Sequence, residues 1–190
     1  MYEIRLHGRG GQGTVLAATI LAAALVEEGK HVVAIPSFGF ERRGAPVAAF
    51  LRADTREIRR MTNIYHPDCV ICIDPTVART VNIFEGVRDD ATLVQATAEP
   101  LAELRLPPAI TTVGLCDAVG IALGIFRRAI TNTIMLGAFA RTTALVSLAA
   151  LERALQESEF RDAGLEQNLR ALRRGYDETV VHRLPRRVAA

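Results

Sequence analysis

Residues 8–13 read Gly-Arg-Gly-Gly-Gln-Gly. They follow a short run containing Ile4 and Leu6 and precede an alanine- and leucine-rich stretch. A strand, a glycine turn and a helix start make an anion site for a physical reason. Glycines let the backbone turn tightly and approach a ligand, and the helix start offers unpaired N–H groups and a positive dipole end. The spacing is G-x-G-x-x-G with one glycine too many. Three readings stay open: a phosphate-bearing ligand other than NAD, a packing turn between helix and sheet, and a nicotinamide or flavin nucleotide. Against the last, the ribose-binding acid expected about 20 positions on is missing; that region reads Val32, Val33, Ala34, Ile35, Pro36. Arg9 and Gln12 also make the turn more polar than an NAD turn.

A second polar segment, "PSFGFERRGAPV", places Phe40, Glu41, Arg42 and Arg43 between Gly39 and Gly44. Adjacent arginines deliver forked donors to phosphate or carboxylate. The bland alternative is a solvated turn in which Glu41 pairs with an arginine. Other reactive side chains form no constellation. Cys69 and Cys72 are three apart in a strand, so they point to opposite faces and cannot share a metal; a four-cysteine cluster needs one thiol more than the chain has. His7 adjoins the glycine turn, where a satisfied strand-end histidine competes with a ligand contact. No nucleophile–base pair stands out.

The elements that must position these residues follow from pattern. A strand covers residues 2–7 and an apolar helix Thr14–Glu28, ended by Gly29. "HVVAIPSF" reads as a second, buried strand and "PVAAFLRA" as a third. "CVICID" reads as a central parallel strand, followed by a helix over "TVARTVNIF". "ATLVQA" and "AITTVGL" are further strands. Beyond Cys116 the pattern is helical through "GLEQNLRALRRGYDETV", and the basic tail "HRLPRRVAA" is solvated or meets a partner. The expected fold is α/β: an open, mostly parallel sheet with helices on both faces and a helical C-terminal third.

At 190 residues, 49% hydrophobic, the chain is expected to be one domain, residues 1–190. A net charge of +2 leaves no nucleic-acid footprint. The longest apolar run is too short to cross a bilayer, no signal peptide is expected, and three cysteines make no disulfide framework. A cytoplasmic protein is expected.

Taken together, "GRGGQG", "PSFGFERRGAPV", "YHPDCVICIDPT", "NTIMLGAF" from Asn132 and "NLRALRRGY" from Asn168 resemble the gamma subunit of the 2-oxoacid:acceptor oxidoreductases, the pyruvate:ferredoxin oxidoreductase superfamily. The resemblance implies a Rossmann-like domain in a complex with alpha, beta and delta-type subunits. It implies thiamine diphosphate, Mg2+ and [4Fe-4S] clusters on those partners, and electron transfer to ferredoxin or to a flavin/NAD-linked subunit. It implies oxidative decarboxylation of a 2-oxo acid with coenzyme A, this chain contributing architecture and part of the coenzyme A pocket. The residues it points to are Gly10, Gly11, Gln12, Gly13 and Thr14, then Arg42 and Arg43. Asn132 is either a helix N-cap or a ligand contact. No catalytic or metal-ligating residue is expected in this chain. The rival readings are a self-contained NAD(P)-dependent oxidoreductase and an assembly module without ligand.

Overall fold

In β1 (Tyr2–Arg9) side chains alternate between two faces, sending Ile4 and Leu6 one way and Glu3, Arg5 and His7 the other. The structure, a computed structural model, describes residues 1–37, 44–158 and 164–186. After β1 come α1 (Thr14–Glu27), β2 (His31–Ser37), β3 (Pro46–Asp54), β4 (Cys69–Cys72), β5 (Ala91–Ala96) and β6 (Ile110–Cys116). Then follow α2 (Ala118–Phe126), α3 (Asn132–Thr143), α4 (Leu148–Gln156), α5 (Leu165–Asp177) and β7 (Val180–Arg183). The strands form one sheet in the order β2-β3-β1-β4-β5-β6-β7. β1, β4, β5 and β6 pair in parallel, and β3 and β7 run against them. Because β2 is antiparallel to β3, it runs with the parallel block.

The α/β class and the mostly parallel sheet are as expected; the distribution of helices is not. One face of the sheet, with Ile4, Leu6, Leu51, Ile71 and Val94, shares a core with all five α-helices. The other face, with Val70, Cys72, Leu93 and Val113, is covered by connecting segments that carry Val77, Ile83 and Leu104. The expected helix over "TVARTVNIF" shrinks to one 3-10 turn, Val77–Arg79. Its β-branched residues disfavour a helix, and Asn82 accepts from the Phe84 N–H, drawing the chain into a turn.

Three further differences have local causes. β2 is an edge strand with His31 and Ala34 exposed, not a buried one, since a hairpin with β3 holds it at the margin. The last helix stops at Asp177, and Val180 and Val181, good strand formers, pair antiparallel with β6. His182 therefore lies in β7, not in a free tail. α3 offers almost no surface to a partner: Ile134, Met135, Leu136, Ala138 and Phe139 are all fully buried. Exposed apolar surface lies instead on the outer side of α1, at Val26, and on α2, at Leu123. Leu165 is exposed at the start of α5.

The second face holds an ion-pair network. The Arg52 Nε donates to Glu3 Oε1 at 2.7 Å, and both side chains are almost fully buried. The remaining Arg52 N–H groups donate to the carbonyls of Thr62 at 2.6 Å and Asn63 at 3.2 Å. Arg88 donates to the second Glu3 oxygen at 2.6 Å. One guanidinium thus fastens the 55–68 connection to the sheet, by satisfying carbonyls that burial would otherwise leave unpaired.

Candidate functional site

The glycine turn sits at the carboxyl ends of β1 and β4, the edge where open α/β sheets take ligands. Gly8 closes the strand: a Cβ there would lie 2.2 Å from Thr14 Oγ1, so only glycine lets the first helical residue settle against β1. Gly13 has φ +77°, and a Cβ on it would stand 2.4 Å from Asn132 Nδ2. Both the backbone conformation and the space demand glycine. Gly13 is also the N-cap of α1 and brings no side chain to cap it; the first turn holds no acid. No side chain caps the leading N–H groups of this 14-residue helix, an arrangement chemically suited to an anion.

The turn is braced from three sides. Gly10 N–H donates to the Ala45 carbonyl at 2.8 Å, and Gly44 N–H to the Gly10 carbonyl at 3.1 Å. The Arg9 guanidinium donates to Thr76 Oγ1 at 2.8 Å and the Gly44 carbonyl at 2.9 Å. Gln12 Oε1 accepts from Arg9 N–H at 3.0 Å while its Nε2 donates to Asp74 Oδ2. Asp74, nearly buried, also accepts from the Thr76 N–H at 2.7 Å and Oγ1 at 2.5 Å. Burial alone would raise its pKa. The hydrogen bonds from Thr76 and Gln12, with the Arg9 charge nearby, outweigh burial and hold the carboxyl below the usual range. Asp74 therefore stays ionised at neutral pH and neutralises Arg9.

The structure brings Gly10, Gly11, Gln12, Gly13, Thr14 and Asn132 together. Both ends of the Gln12 amide are engaged within the protein, so Gln12 positions the turn. Thr131, not Asn132, takes the N-cap position of α3; Asn132 lies buried beneath Gly13, its Oδ1 accepting from the Thr133 N–H at 3.0 Å and its Nδ2 against the turn. Thr14 Oγ1 is buried without a hydrogen-bond partner among the described residues. Arg42 and Arg43 lie outside the described residues; Gly44 and Ala45, which follow them, are bonded to Gly10. The sequence reading missed Asp74 and Thr76. An Asp-Pro-Thr just after an apolar strand is a turn signal that would have found them.

His7 is half-buried beside the turn, and its Nε2, which is buried, has no partner among the described residues. Burial, then the Arg5 charge, lowers its pKa from 6.5 to about 4. The imidazole is neutral at pH 7 and attracts no anion. The unfolded chain takes up this proton below about pH 6.5 and the folded chain only near pH 4, so stability is lost as pH falls through that window. A His7→Phe variant should flatten the fall in melting temperature between pH 6.5 and 4. An equally steep fall would assign it to other groups. Cys69 and Cys72 lie in the two opposite cores, as strand alternation requires, and burial raises both thiols. Among the described residues no group of His, Cys, Asp and Glu could hold a metal, and no helix is long and apolar enough to cross a membrane.

The sequence model of the pyruvate ferredoxin/flavodoxin oxidoreductase family matches residues 3–178. The chain belongs to this family. It is 65% identical, over the full length of both chains, to the gamma subunit of NADH-dependent phenylglyoxylate dehydrogenase from Aromatoleum evansii. It is 46% identical over 188 residues to the common gamma subunit of the pyruvate and ketoisovalerate oxidoreductases of Thermococcus kodakarensis, covering 97% of this chain and all of that one. The crystal structure of the PORC subunit of pyruvate oxidoreductase from Thermotoga maritima superposes with a TM-score of 0.80 at 38% identity, covering 95% of this chain and 97% of that one. The open sheet and its glycine turn are thus those of an oxidoreductase subunit, and the likeness to gamma subunits runs end to end.

Proposed function

We propose that this chain is the gamma subunit of a multisubunit 2-oxoacid:acceptor oxidoreductase and forms one wall of its coenzyme A site. The observation that carries the reading is the uncapped start of α1 behind a turn in which Gly13 has φ +77° and an asparagine fills the space beneath it. Phosphate groups fit such a turn, because N–H donors and the helix dipole converge there with no acid in the first turn of α1, while the Asp74 charge is paired with Arg9. The Gly10 and Gly11 backbone and the first turn of α1 would hold the phosphates. Arg42 and Arg43 would supply forked cations from the neighbouring connection. Gln12, Arg9, Asp74 and Thr76 keep the turn in shape.

The acyl chemistry belongs to partner chains in this reading. Bound there, thiamine diphosphate with Mg2+ supplies the decarboxylating centre, and [4Fe-4S] clusters carry the two electrons away. Coenzyme A accepts the acyl group. The three buried thiols here, split between two cores, do not fit a cluster. The 2-oxo acid site also lies on the partners, which agrees with one gamma subunit serving two oxidoreductases in Thermococcus kodakarensis. The 65% identity to the phenylglyoxylate enzyme, against 46% to the archaeal one, favours an aromatic 2-oxo acid and NAD as final acceptor.

The NAD-binding rival lacks support in the topology. A dinucleotide fold places its ribose-binding acid on the strand beside the glycine strand. Here antiparallel β3 occupies that place and β2 lies one strand further out. The test is steady-state kinetics of the copurified complex carrying Arg42→Ala and Arg43→Ala. The KM for coenzyme A should rise about tenfold, the loss of roughly 1.4 kcal/mol of phosphate binding, with the 2-oxo acid KM unchanged. An unchanged coenzyme A KM in an intact complex would favour an assembly module.

A further inference from the structure

A second concavity, of about 190 Å³, opens at the same edge of the sheet but over its helix-free face. Gln95 lines it from β5. The residue is 7% exposed, and among the described residues its amide makes no hydrogen bond. The amide opens onto the concavity rather than being sealed in the core, so it is free to engage a ligand there. Pro75, Phe84, Leu104 and Leu106 supply apolar walls.

The chemistry of the rim narrows the ligand. Arg79 and Arg105 stand there with Glu99 and Glu103, two cations and two anions, and Arg79 is paired to Glu99 at 3.6 Å. A phosphate gains nothing from so balanced a rim. A neutral, flat heterocycle with a hydrogen-bonding edge suits it: apolar and aromatic faces for the ring, and one amide offering donor and acceptor side by side. A glutamine amide meets an adenine edge in this bidentate way, and bases stack on aromatic side chains.

Position ties the concavity to the glycine turn. Gln95 is the register partner of Cys72, and Cys72 that of His7, so the row runs from β1 to β5 just below the turn. Pro75, one wall, is covalently joined to Asp74 and Thr76, the residues that brace Gln12 and Arg9. A ligand with phosphates on the turn and a base two strands from β1 would span this edge.

We infer that Gln95, backed by Phe84, recognises the adenine base of the ligand whose phosphates occupy the glycine turn. This rests on the coenzyme A reading and adds a base-reading residue to it. The probes are adenosine 3′,5′-bisphosphate and inorganic pyrophosphate, each tested as an inhibitor of the assembled complex against coenzyme A. The variants are Gln95→Leu, Phe84→Ala and, for the turn, Gly13→Val. Gln95→Leu forfeits no hydrogen bond of the free protein, so the fold is retained.

The bisphosphate should inhibit competitively with coenzyme A. Its inhibition constant should rise about tenfold in Gln95→Leu and in Phe84→Ala, with the pyrophosphate constant unchanged. An unchanged bisphosphate constant in both, while Gly13→Val weakens coenzyme A binding, would overturn the base site and leave the turn standing. Coenzyme A binding unaffected by all three variants would overturn both.

Discussion

A complex carrying Gly13→Val should bind coenzyme A at least about tenfold more weakly than the parent and retain its turnover at saturating coenzyme A. Two costs combine. A non-glycine residue at φ +77° pays about 1–2 kcal/mol for the left-handed backbone. Its Cβ would also stand 2.4 Å from the Asn132 amide, and Asn132 is buried at the base of α3 with little room to withdraw. The turn must shift, carrying the first N–H groups of α1 out of line, and about 1.4 kcal/mol of lost phosphate binding is already a factor of ten. Gly29→Val is the control. It has the same left-handed strain, φ +80°, with nothing within 4 Å of its Cβ and no part in the turn. Calorimetric titration of the two complexes with coenzyme A separates damage at the site from damage to the helix. Equal affinities would remove the turn from the binding site.

The second large effect lies away from the turn. Arg52→Met should cost about 3–5 kcal/mol, the range for breaking a buried pair and leaving its partner charged, and lower the melting temperature by roughly 10 °C. Glu3 would keep Arg88 but lose its inner partner, and the Thr62 and Asn63 carbonyls would lose their donor. Adding Glu3→Gln should restore part of the loss, because the stranded charge is then gone. Thermal unfolding of both variants checks this. A loss below about 1 kcal/mol in the single variant would mean that water replaces the guanidinium.

The contrast between these two sites shows what the sequence makes legible. The turn could be read because its parts are local: a strand, glycines and a helix start within residues 2–27. β4, β5, β6 and the late helices are likewise visible in apolar runs and in period. Long-range pairing is not visible. Nothing in "PVAAFLRA" tells that it returns antiparallel beside β1 and pushes β2 to the edge, and nothing in "VVHR" tells that it closes the far side of the sheet. Helices on both faces were expected because strands and helices alternate. The segments after β4 and β5 instead cover the second face with short turns. The same limit applies to residue roles. The resemblance points to Gln12 and Asn132, yet the work they do inside the protein, Gln12 bonded to Asp74, 62 residues away, and Asn132 packed beneath Gly13, is visible only in the fold. Gln95 reads as an ordinary strand residue until its neighbours in the fold are known.

The central claim is that the start of α1 holds phosphates of coenzyme A. The most direct measurement is a structure of the assembled complex with coenzyme A bound. The account predicts phosphate oxygens within hydrogen-bonding distance of the backbone N–H groups around Gly11 and the first turn of α1. Coenzyme A held entirely by other chains, with that turn facing solvent or packed against a neighbouring subunit, would contradict it.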